Sequence, residues 1–236
     1  MNQGRFRLYA ELNDLLPVDR KETEICLPSN GDQSVKHLIE SLGVPHTEVG
    51  QIIVNGVPVD FGYRVQDGDL VAVYPLSNQD SPISIDQLRF ILDNHLGRLA
   101  AYLRMLGFDT LYRNDYQDEE LASVSSRESR ILLTRDKRLL MRNQVTRGYW
   151  VRSKAPRKQL EEVVRRYQLA EVIQPFQRCV RCNAKLVQVH KEDVLHRLEP
   201  LTRRYFDEFA LCPDCDQIYW KGSHYARMLQ IIQSVL

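Results

Sequence analysis

The sequence predicts an α/β protein of three parts: an N-terminal β-grasp domain over residues 1–77, an α/β domain over 86–172 and a zinc ribbon over 175–236. Three observations support this prediction. The first part runs strand, strand, helix and further strands, the second alternates strands with helices, and the third contains two Cys-x-x-Cys pairs. With 236 residues and 43% hydrophobic content, the chain can form more than one core.

The first part alternates short apolar runs with turns. "RFRLYAEL" and "ETEICLP" predict two strands, "SVKHLIESLG" predicts a helix, and "QDGDLVAVYPL" predicts a later strand. "IIVNGVPVD" predicts a hairpin, because Asn-Gly between apolar runs favours the tight turns that join two strands. Within this pattern we expect Cys26 to be a small buried apolar residue, and Ser77–Ser84 to be a linker.

These motifs resemble those of the ubiquitin-like sulfur-carrier proteins. The carriers end in a Gly-Gly tail, whereas this segment continues through "PLSNQDSPIS" without one. Carrier chemistry is therefore not expected. The resemblance implies a ubiquitin-like β-grasp module that serves in docking or in positioning a substrate.

The second part alternates strands and helices, which is typical of a mostly parallel sheet covered on both faces. The predicted strands are "LRFIL", "DTLYR", "RILLTR" and "GYWVRS". The predicted helices are in "HLGRLAAYLRMLGF", "DEELASVSSRES", "KRLLMRNQV" and "PRKQLEEVVRRYQL". In such sheets functional groups gather beyond the carboxyl ends of the strands, so residues there are the first candidates for a site.

Acidic residues follow three of these strands. Asp93 and Asp136 each come directly after a strand, and Asp115, Asp118 or Glu119 in "NDYQDEEL" could face the same edge. Carboxylates that converge would repel one another unless a divalent cation bound between them, and hard oxygen ligands suit Mg²⁺ or Mn²⁺. Such an ion would clamp a phosphodiester and activate a water, as in a metal-dependent nuclease. The alternative is that each aspartate only caps a turn or helix, as Asp136 could do before "KRLL".

Charge divides unevenly along the chain. Residues 1–80 carry 6 Lys and Arg against 12 Asp and Glu, a net −6, whereas residues 81–236 carry 26 against 19, a net +7. A basic segment favours an anionic partner, of which nucleic acid is the commonest.

Four basic residues are candidates for contacts with RNA phosphates. Arg98 and Arg104 lie on the predicted polar side of the helix after Asp93, where a solvated face is an equal alternative. Arg135 and Lys137 flank Asp136, and Arg135 is the best candidate because it lies beside the predicted site.

The two Cys-x-x-Cys pairs predict a zinc site made by Cys179, Cys182, Cys212 and Cys215. The pairs are 29 residues apart, so we expect an insertion around "EDVLHRLEPLTRRYFDEF". Cytosolic thiols stay reduced, which disfavours disulfides, and a redox role is the minor alternative. Four thiolates leave no open position for substrate, so the zinc is expected to be structural.

The motif "YWKGSH" places Tyr219 and Trp220 beside Lys221 and His224. An aromatic ring next to a cation is typical of sites that stack single-stranded bases. The alternative is that Trp220 packs the ribbon and His224 caps the last helix.

The ordered set "FILDNHLGRLAAYLRMLGFDTLYRND", "DEEL", "RILLTRD", "RCVRCNAKL" and "CPDCDQIYWKGSHYARM" resembles the mutator-seven C-terminal RNase domain family. The resemblance covers roughly residues 88–232 and implies a PIN-like α/β/α nuclease domain followed by a zinc ribbon; an N-terminal ubiquitin-like module also occurs in this family. By position it implies that Asp93, Asp118 and Asp136 bind Mg or Mn. PIN-like nucleases commonly use a fourth acid, which "GYWVRSK" lacks, so one ion is expected.

The leading hypothesis is therefore a cytoplasmic metal-dependent ribonuclease with RNA as substrate. The rival is a non-catalytic RNA-binding or adaptor protein that uses the zinc ribbon and the basic face. A third hypothesis gives the β-grasp domain the main role, as a module that recruits a protein partner. No apolar run is long enough to span a membrane, and no signal peptide is expected.

Overall fold

The computed structural model describes residues 3–29, 31–76 and 87–236, so the expected linker Ser77–Ser84 lies outside the described residues. The chain forms two compact units that do not follow the order of the sequence. Met1–Ile83 with Gln117–Trp150 make the first unit, and Ser84–Tyr116 with Val151–Leu236 make the second.

The N-terminal part of the first unit is a β-grasp fold, as predicted. Its elements are β1 (Gln3–Leu8), β2 (Ile25–Pro28), α1 (Val35–Ser41), β3 (Val49–Val54), β4 (Val57–Val59) and β5 (Leu70–Pro75). The strand order is β2-β1-β5-β3-β4, with β1 and β5 parallel and the other neighbours antiparallel. Asn55 and Gly56 form the hairpin turn with φ of 51° and 84°, the left-handed conformation that favours this residue pair.

Helix α1 crosses one face of this sheet and begins after Ser34, whose hydroxyl accepts a hydrogen bond from the His37 N–H. Between them lies a core that includes the fully buried Phe6, Leu12 and Ile39.

The prediction that Cys26 is buried is wrong. Side chains of β2 alternate between the two faces, and Ile25 takes the inward position. Cys26 points outward, is exposed, and pairs across the sheet with Arg5, which is also exposed. A run of four apolar letters could not fix the phase of the alternation, because either phase buries apolar residues.

From residue 87 onward strands and helices alternate as predicted. The elements are β6 (Phe90–Leu92), α2 (Gly97–Met105), β7 (Thr110–Tyr112), α3 (Asp118–Arg127), β8 (Ile131–Thr134), α4 (Lys137–Leu140), β9 (Gly148–Trp150) and α5 (Pro156–Arg166). In the first unit β8 and β9 are parallel neighbours, and in the second unit β6 and β7 are parallel neighbours. Every residue of β6 and β8 is buried, which is typical of strands covered on both faces.

The C-terminal part of the second unit is a small ribbon. Its elements are β10 (Val187–Val189), α6 (Lys191–Val194), α7 (Pro200–Tyr205), β11 (Phe209–Leu211), β12 (Ile218–Trp220) and α8 (Ser223–Gln233). The antiparallel sheet has the order β10-β11-β12, and the expected insertion consists of the helices between β10 and β11. Among the described helices, none combines the length and apolar character that a membrane crossing requires.

Candidate active site and metal centre

Asp93 directly follows strand β6 and is only 8% exposed. Its backbone carbonyl accepts a hydrogen bond from the Leu96 N–H at 3.0 Å, which closes the short turn before α2. Its carboxylate makes no capping hydrogen bond to that turn. The predicted strand-end position is therefore confirmed, and simple capping does not describe this carboxylate.

Asp136 is the N-cap residue of helix α4 and lies two residues after the end of β8. Its Oδ1 accepts a hydrogen bond from the Arg138 N–H at 2.8 Å, and its own N–H donates to the buried Thr134 Oγ1 at 2.9 Å. The alternative that Asp136 caps a helix is thus confirmed. That bond uses only Oδ1 of an exposed side chain, so capping leaves Oδ2 available to a cation.

Asp118 is the first residue of α3, and its side chain is 53% exposed. The Arg142 guanidinium lies 3.8 Å from its Oδ2 but only 2.8 Å from the Glu119 carboxylate, where the hydrogen bond lowers the pKa of Glu119. Asp115 forms a two-point ion pair with Arg113, and that hydrogen bonding lowers its pKa. Of Asp115, Asp118 and Glu119, Asp118 has the longest ion-pair distance to an arginine side chain.

Arg135 and Lys137 flank Asp136 and have different surroundings. The Arg135 carbonyl accepts a hydrogen bond from the Trp150 indole N–H at 3.1 Å, and its half-buried side chain stays a predicted phosphate contact. Lys137 Nζ donates to the Leu15 carbonyl at 2.9 Å and lies 5.1 Å from the centre of the Trp150 ring. Lys137 was expected to contact an RNA phosphate. Its ammonium group instead contacts the Leu15 carbonyl and the Trp150 ring.

The candidate acids are divided between the two units. Asp93 belongs to the second unit, and Asp118 and Asp136 belong to the first. Their donor atoms are carboxylate oxygens, the ligand type that Mg²⁺ and Mn²⁺ prefer, so the residues fit a hard divalent cation in chemical type. That they share one ion stays a prediction.

The second candidate centre is the cysteine cluster in the ribbon. The four Sγ atoms of Cys179, Cys182, Cys212 and Cys215 lie within 4.8 Å of one another. The closest approaches are 3.2 Å for Cys182 and Cys212 and 3.5 Å for Cys179 and Cys215. A disulfide would need about 2 Å, whereas sulfurs placed tetrahedrally around zinc at about 2.3 Å would be about 3.8 Å apart. The cluster can therefore hold a zinc ion.

The two loops that carry these cysteines have the same backbone structure. Their hydrogen bonds are Cys179 N–H to Ala184 O (2.8 Å), Asn183 N–H to Cys179 O (2.9 Å), Cys212 N–H to Gln217 O (2.9 Å) and Asp216 N–H to Cys212 O (3.0 Å). Asn183 and Asp216 follow the second cysteine of each pair and have φ of 79° and 60°. Asn and Asp tolerate this left-handed conformation better than other side chains do, which explains their presence at equivalent positions.

The four thiols differ in acidity. Burial disfavours the Cys179 thiolate, but a hydrogen bond from the Tyr219 hydroxyl and backbone N–H bonds lower the pKa of Cys179 to about 6. Burial raises the pKa of Cys182 to about 12, and the hydrogen bond with the Cys212 sulfur acts in the same direction. Without metal at neutral pH, the cluster thus contains both thiolate and thiol, and a cation that binds all four sulfurs must displace protons.

Sequence reasoning missed the role of Arg104. The prediction that it lies on a polar helix face is wrong, because it is 4% exposed and its guanidinium donates to three backbone carbonyls. These belong to Thr110 (2.8 Å), Val180 (3.3 Å) and Arg181 (2.7 Å). Burial lowers the pKa of Arg104, while the Cys182 sulfur acts in the opposite direction. The covering loop comes 76 positions later than Arg104, so the periodicity of the helix could not reveal it.

Asn183 makes a second connection between the cysteine loop and the α/β part of the same unit. Its side chain accepts from the Thr110 N–H at 2.9 Å and donates to the Asp109 carboxylate at 2.8 Å. Arg178 donates to the Asn183 carbonyl at 2.9 Å and lies 3.6 Å from Asp109. The ribbon is therefore held to β7 by buried polar contacts that begin at the first Cys-x-x-Cys loop.

A cleft with a cavity volume of about 110 Å³ lies on the ribbon. The Phe176 and Tyr225 rings on its wall are 4.6 Å apart, and Trp220 is 39% exposed. Lys221 lies at its edge in an exposed ion pair with Glu208. The prediction that His224 caps the last helix is wrong, since the helix begins at Ser223 after Gly222 without a side-chain cap.

Comparison with known proteins gives two family-model matches. The model described as the Mut7-C RNAse domain matches residues 88–232, more than half of the chain, and the model described as Mut7-C ubiquitin matches residues 1–80. No curated protein and no solved structure matches the chain.

Proposed function

Because the chain belongs to the Mut7-C RNAse domain family, we propose that it is a ribonuclease that hydrolyses RNA phosphodiester bonds with one Mg²⁺ or Mn²⁺ ion. We assign Asp93, Asp118 and Asp136 as the ligands of that ion. The observation that carries this proposal is the family match over a segment in which aspartates follow two buried strands.

The environments of these acids support the assignment. Asp93 provides a largely buried carboxylate, and in such low-dielectric surroundings its attraction for a cation is stronger than in water. Asp136 has one oxygen fixed by the Arg138 N–H, which orients the other. The bound ion would neutralise phosphate charge and lower the pKa of an attacking water. We assign the Arg135 guanidinium to the RNA phosphate beside it.

We propose that the four cysteines bind a structural zinc ion. Four thiolates complete a tetrahedral shell and leave no position for substrate. The buried apolar core of the ribbon includes Val194, Leu198, Phe209 and Ile218, which is small for an independently stable domain. Metal binding would therefore supply much of the folding free energy of this part.

We also propose that the ribbon cleft contacts single-stranded RNA. The partly exposed Trp220 ring can stack on a base, and the adjacent Lys221 can approach a phosphate. The hydroxyl of Tyr219 is hydrogen-bonded to the Cys179 sulfur. We therefore assign Tyr219 to the metal loop and not to RNA stacking.

The test is RNA cleavage by the full chain, with its zinc content verified, before and after Mn²⁺ or Mg²⁺ is added. Asp93→Asn and Asp136→Asn should each lower the cleavage rate by at least about 100-fold, as expected for loss of a catalytic metal ligand. Asparagine is as good an N-cap as aspartate, so Asp136→Asn removes the charge and keeps the helix cap.

The matched control is Asp60→Asn, since Asp60 accepts an equivalent local hydrogen bond from the Gly62 N–H at 2.7 Å. It should cleave RNA at the rate of the unmodified protein. Full activity of Asp136→Asn would reduce that residue to a helix cap. RNA binding that weakens with salt, without cleavage under any metal condition, would instead support the adaptor hypothesis.

A further inference from the structure

Inside the first unit, the ubiquitin-like module is packed against the segment Gln117–Trp150 of the RNAse domain. Trp150 packs on the apolar core of the module. The polar contacts are Lys36 Nζ to Asn143 Oδ1 (2.8 Å), His46 Nε2 to Val145 O (2.8 Å), Trp150 N–H to Glu48 Oε1 (2.7 Å) and Lys137 Nζ to Leu15 O (2.9 Å). These contacts fix the module to α4 and β9 without a partner protein.

Of the side chains whose polar atoms make these contacts, that of Glu48 is the most deeply buried, at 2% exposure. A buried carboxylate is stable only where hydrogen bonds replace its hydration, and one of them comes from the Trp150 backbone N–H. The Trp150 indole N–H in turn donates to the Arg135 carbonyl. Glu48 of the ubiquitin-like module thus fixes strand β9 at Trp150. The Trp150 side chain in turn holds the peptide unit just before Asp136.

Lys137 fixes the other side of Asp136. Its ammonium group donates to the Leu15 carbonyl, 122 positions earlier in the chain, and lies over the Trp150 ring. Both neighbours of Asp136 are therefore tied to the module, one directly and one through Trp150.

We propose that the ubiquitin-like module is an intramolecular positioning domain, and that Glu48, Trp150 and Lys137 are positioning residues that hold Asp136 in place. The catalytic meaning of this inference rests on the proposed function, whereas the structural meaning does not. Misplacement of a catalytic group by about 1 Å can lower a rate about 100-fold. Fixing the proposed metal ligand Asp136, which is exposed at the start of a helix, should therefore raise the rate of cleavage.

The test is amide hydrogen exchange over residues 134–142 in protein free of RNA and of added Mg²⁺ or Mn²⁺. The Asp136 and Arg138 N–H groups report directly, because they donate to Thr134 and Asp136. In Lys137→Met these amides should exchange about tenfold faster, the change expected when a bond from a charged donor is lost. Trp150→Phe removes the indole N–H and replaces the indole with a smaller aromatic ring, and it should have a similar effect.

The matched control is Lys36→Met. It also removes a lysine hydrogen bond made by the ubiquitin-like module, but that bond goes to Asn143 and not to a neighbour of Asp136. It should leave exchange over 134–142 unchanged. Unchanged exchange in both Lys137→Met and Trp150→Phe would overturn the inference, whether or not the protein cleaves RNA. If the unmodified protein cleaves RNA, both variants should lower kcat about 10- to 100-fold while the control does not. Wild-type kcat in both variants, in spite of faster exchange, would overturn the catalytic part alone.

Discussion

The guanidinium of Arg104 donates a hydrogen bond to the backbone carbonyl of Arg181, 77 positions later, at a distance of 2.7 Å. Arg181 lies between the two cysteines of the first Cys-x-x-Cys loop, so a helix of the α/β part supplies a donor to the backbone of the cysteine cluster. Folding of the loop and of helix α2 should therefore be coupled. If either one unfolded, the buried Arg104 guanidinium and the loop carbonyls would lose each other as hydrogen-bond partners.

Replacing Arg104 by methionine should lower the free energy of unfolding by about 3 kcal/mol, since buried carbonyl acceptors lose a charged donor. Zinc should also leave the variant more readily. Both effects can be measured by denaturant unfolding and by zinc release to a chromophoric chelator. Arg98→Met is the control: Arg98 is on the same helix but exposed, so its replacement should change neither quantity.

Replacing Cys179 by serine should abolish stoichiometric zinc binding and unfold the ribbon, because a buried ligand of the cluster is lost. Metal content by mass spectrometry and the unfolding temperature are the measurements. Cys26→Ser is the matched control, since Cys26 is an exposed cysteine of β2 outside the cluster. Equal zinc content in the two variants would contradict the assigned metal site.

Zinc affinity should rise with pH across the neutral range. Cys182, whose pKa is raised to about 12, is a thiol at pH 7 and must lose its proton to bind metal. Cys179, with a pKa lowered to about 6, is already largely thiolate at pH 7. It therefore releases a proton on metal binding only at more acidic pH. Each proton released should change the apparent affinity about tenfold per pH unit. Competition with a chelator at several pH values checks the sign, and a flat profile would contradict it.

Gly107→Ala should be strongly destabilising. Gly107 has φ of +100°, and a Cβ there would lie 2.2 Å from the Gln174 carbonyl oxygen, where the chain passes close to the end of α2. Gly56→Ala is the matched comparison, because Gly56 has φ of +84° with no heavy atom within 4 Å of a Cβ. The Gly56 variant should lose only about 1 to 2 kcal/mol from backbone conformation, and the Gly107 variant several kcal/mol more. Thermal unfolding of the two proteins distinguishes them.

Trp220→Ala should weaken binding of single-stranded RNA about tenfold or more, the effect of losing one stacked base. The measurement is fluorescence anisotropy with labelled RNA in the Asp136→Asn background, so that cleavage does not interfere. Tyr205→Ala is the control, since Tyr205 is an aromatic residue of α7 that is 64% exposed. Equal loss of affinity in both variants would show that the cleft has no special role.

Short motifs in the sequence were enough to predict the secondary-structure elements and the chemistry that depend on local pattern. The Asn55-Gly56 turn, the aspartates after β6 and β8 and the paired cysteines all stand where short motifs predicted them. These features depend on residues a few positions apart, within the reach of backbone conformation and ligand spacing.

Which side chains are covered depends on how the chain packs in three dimensions. It buried Arg104, exposed Cys26 and placed Lys137 against Leu15. Periodicity shows that a helix or strand has two faces, but the groups that cover or contact a face come from segments 76 to 122 positions away. Burial and long-range hydrogen bonding therefore had to be found in the folded molecule, because they depend on packing between segments that the local sequence does not specify.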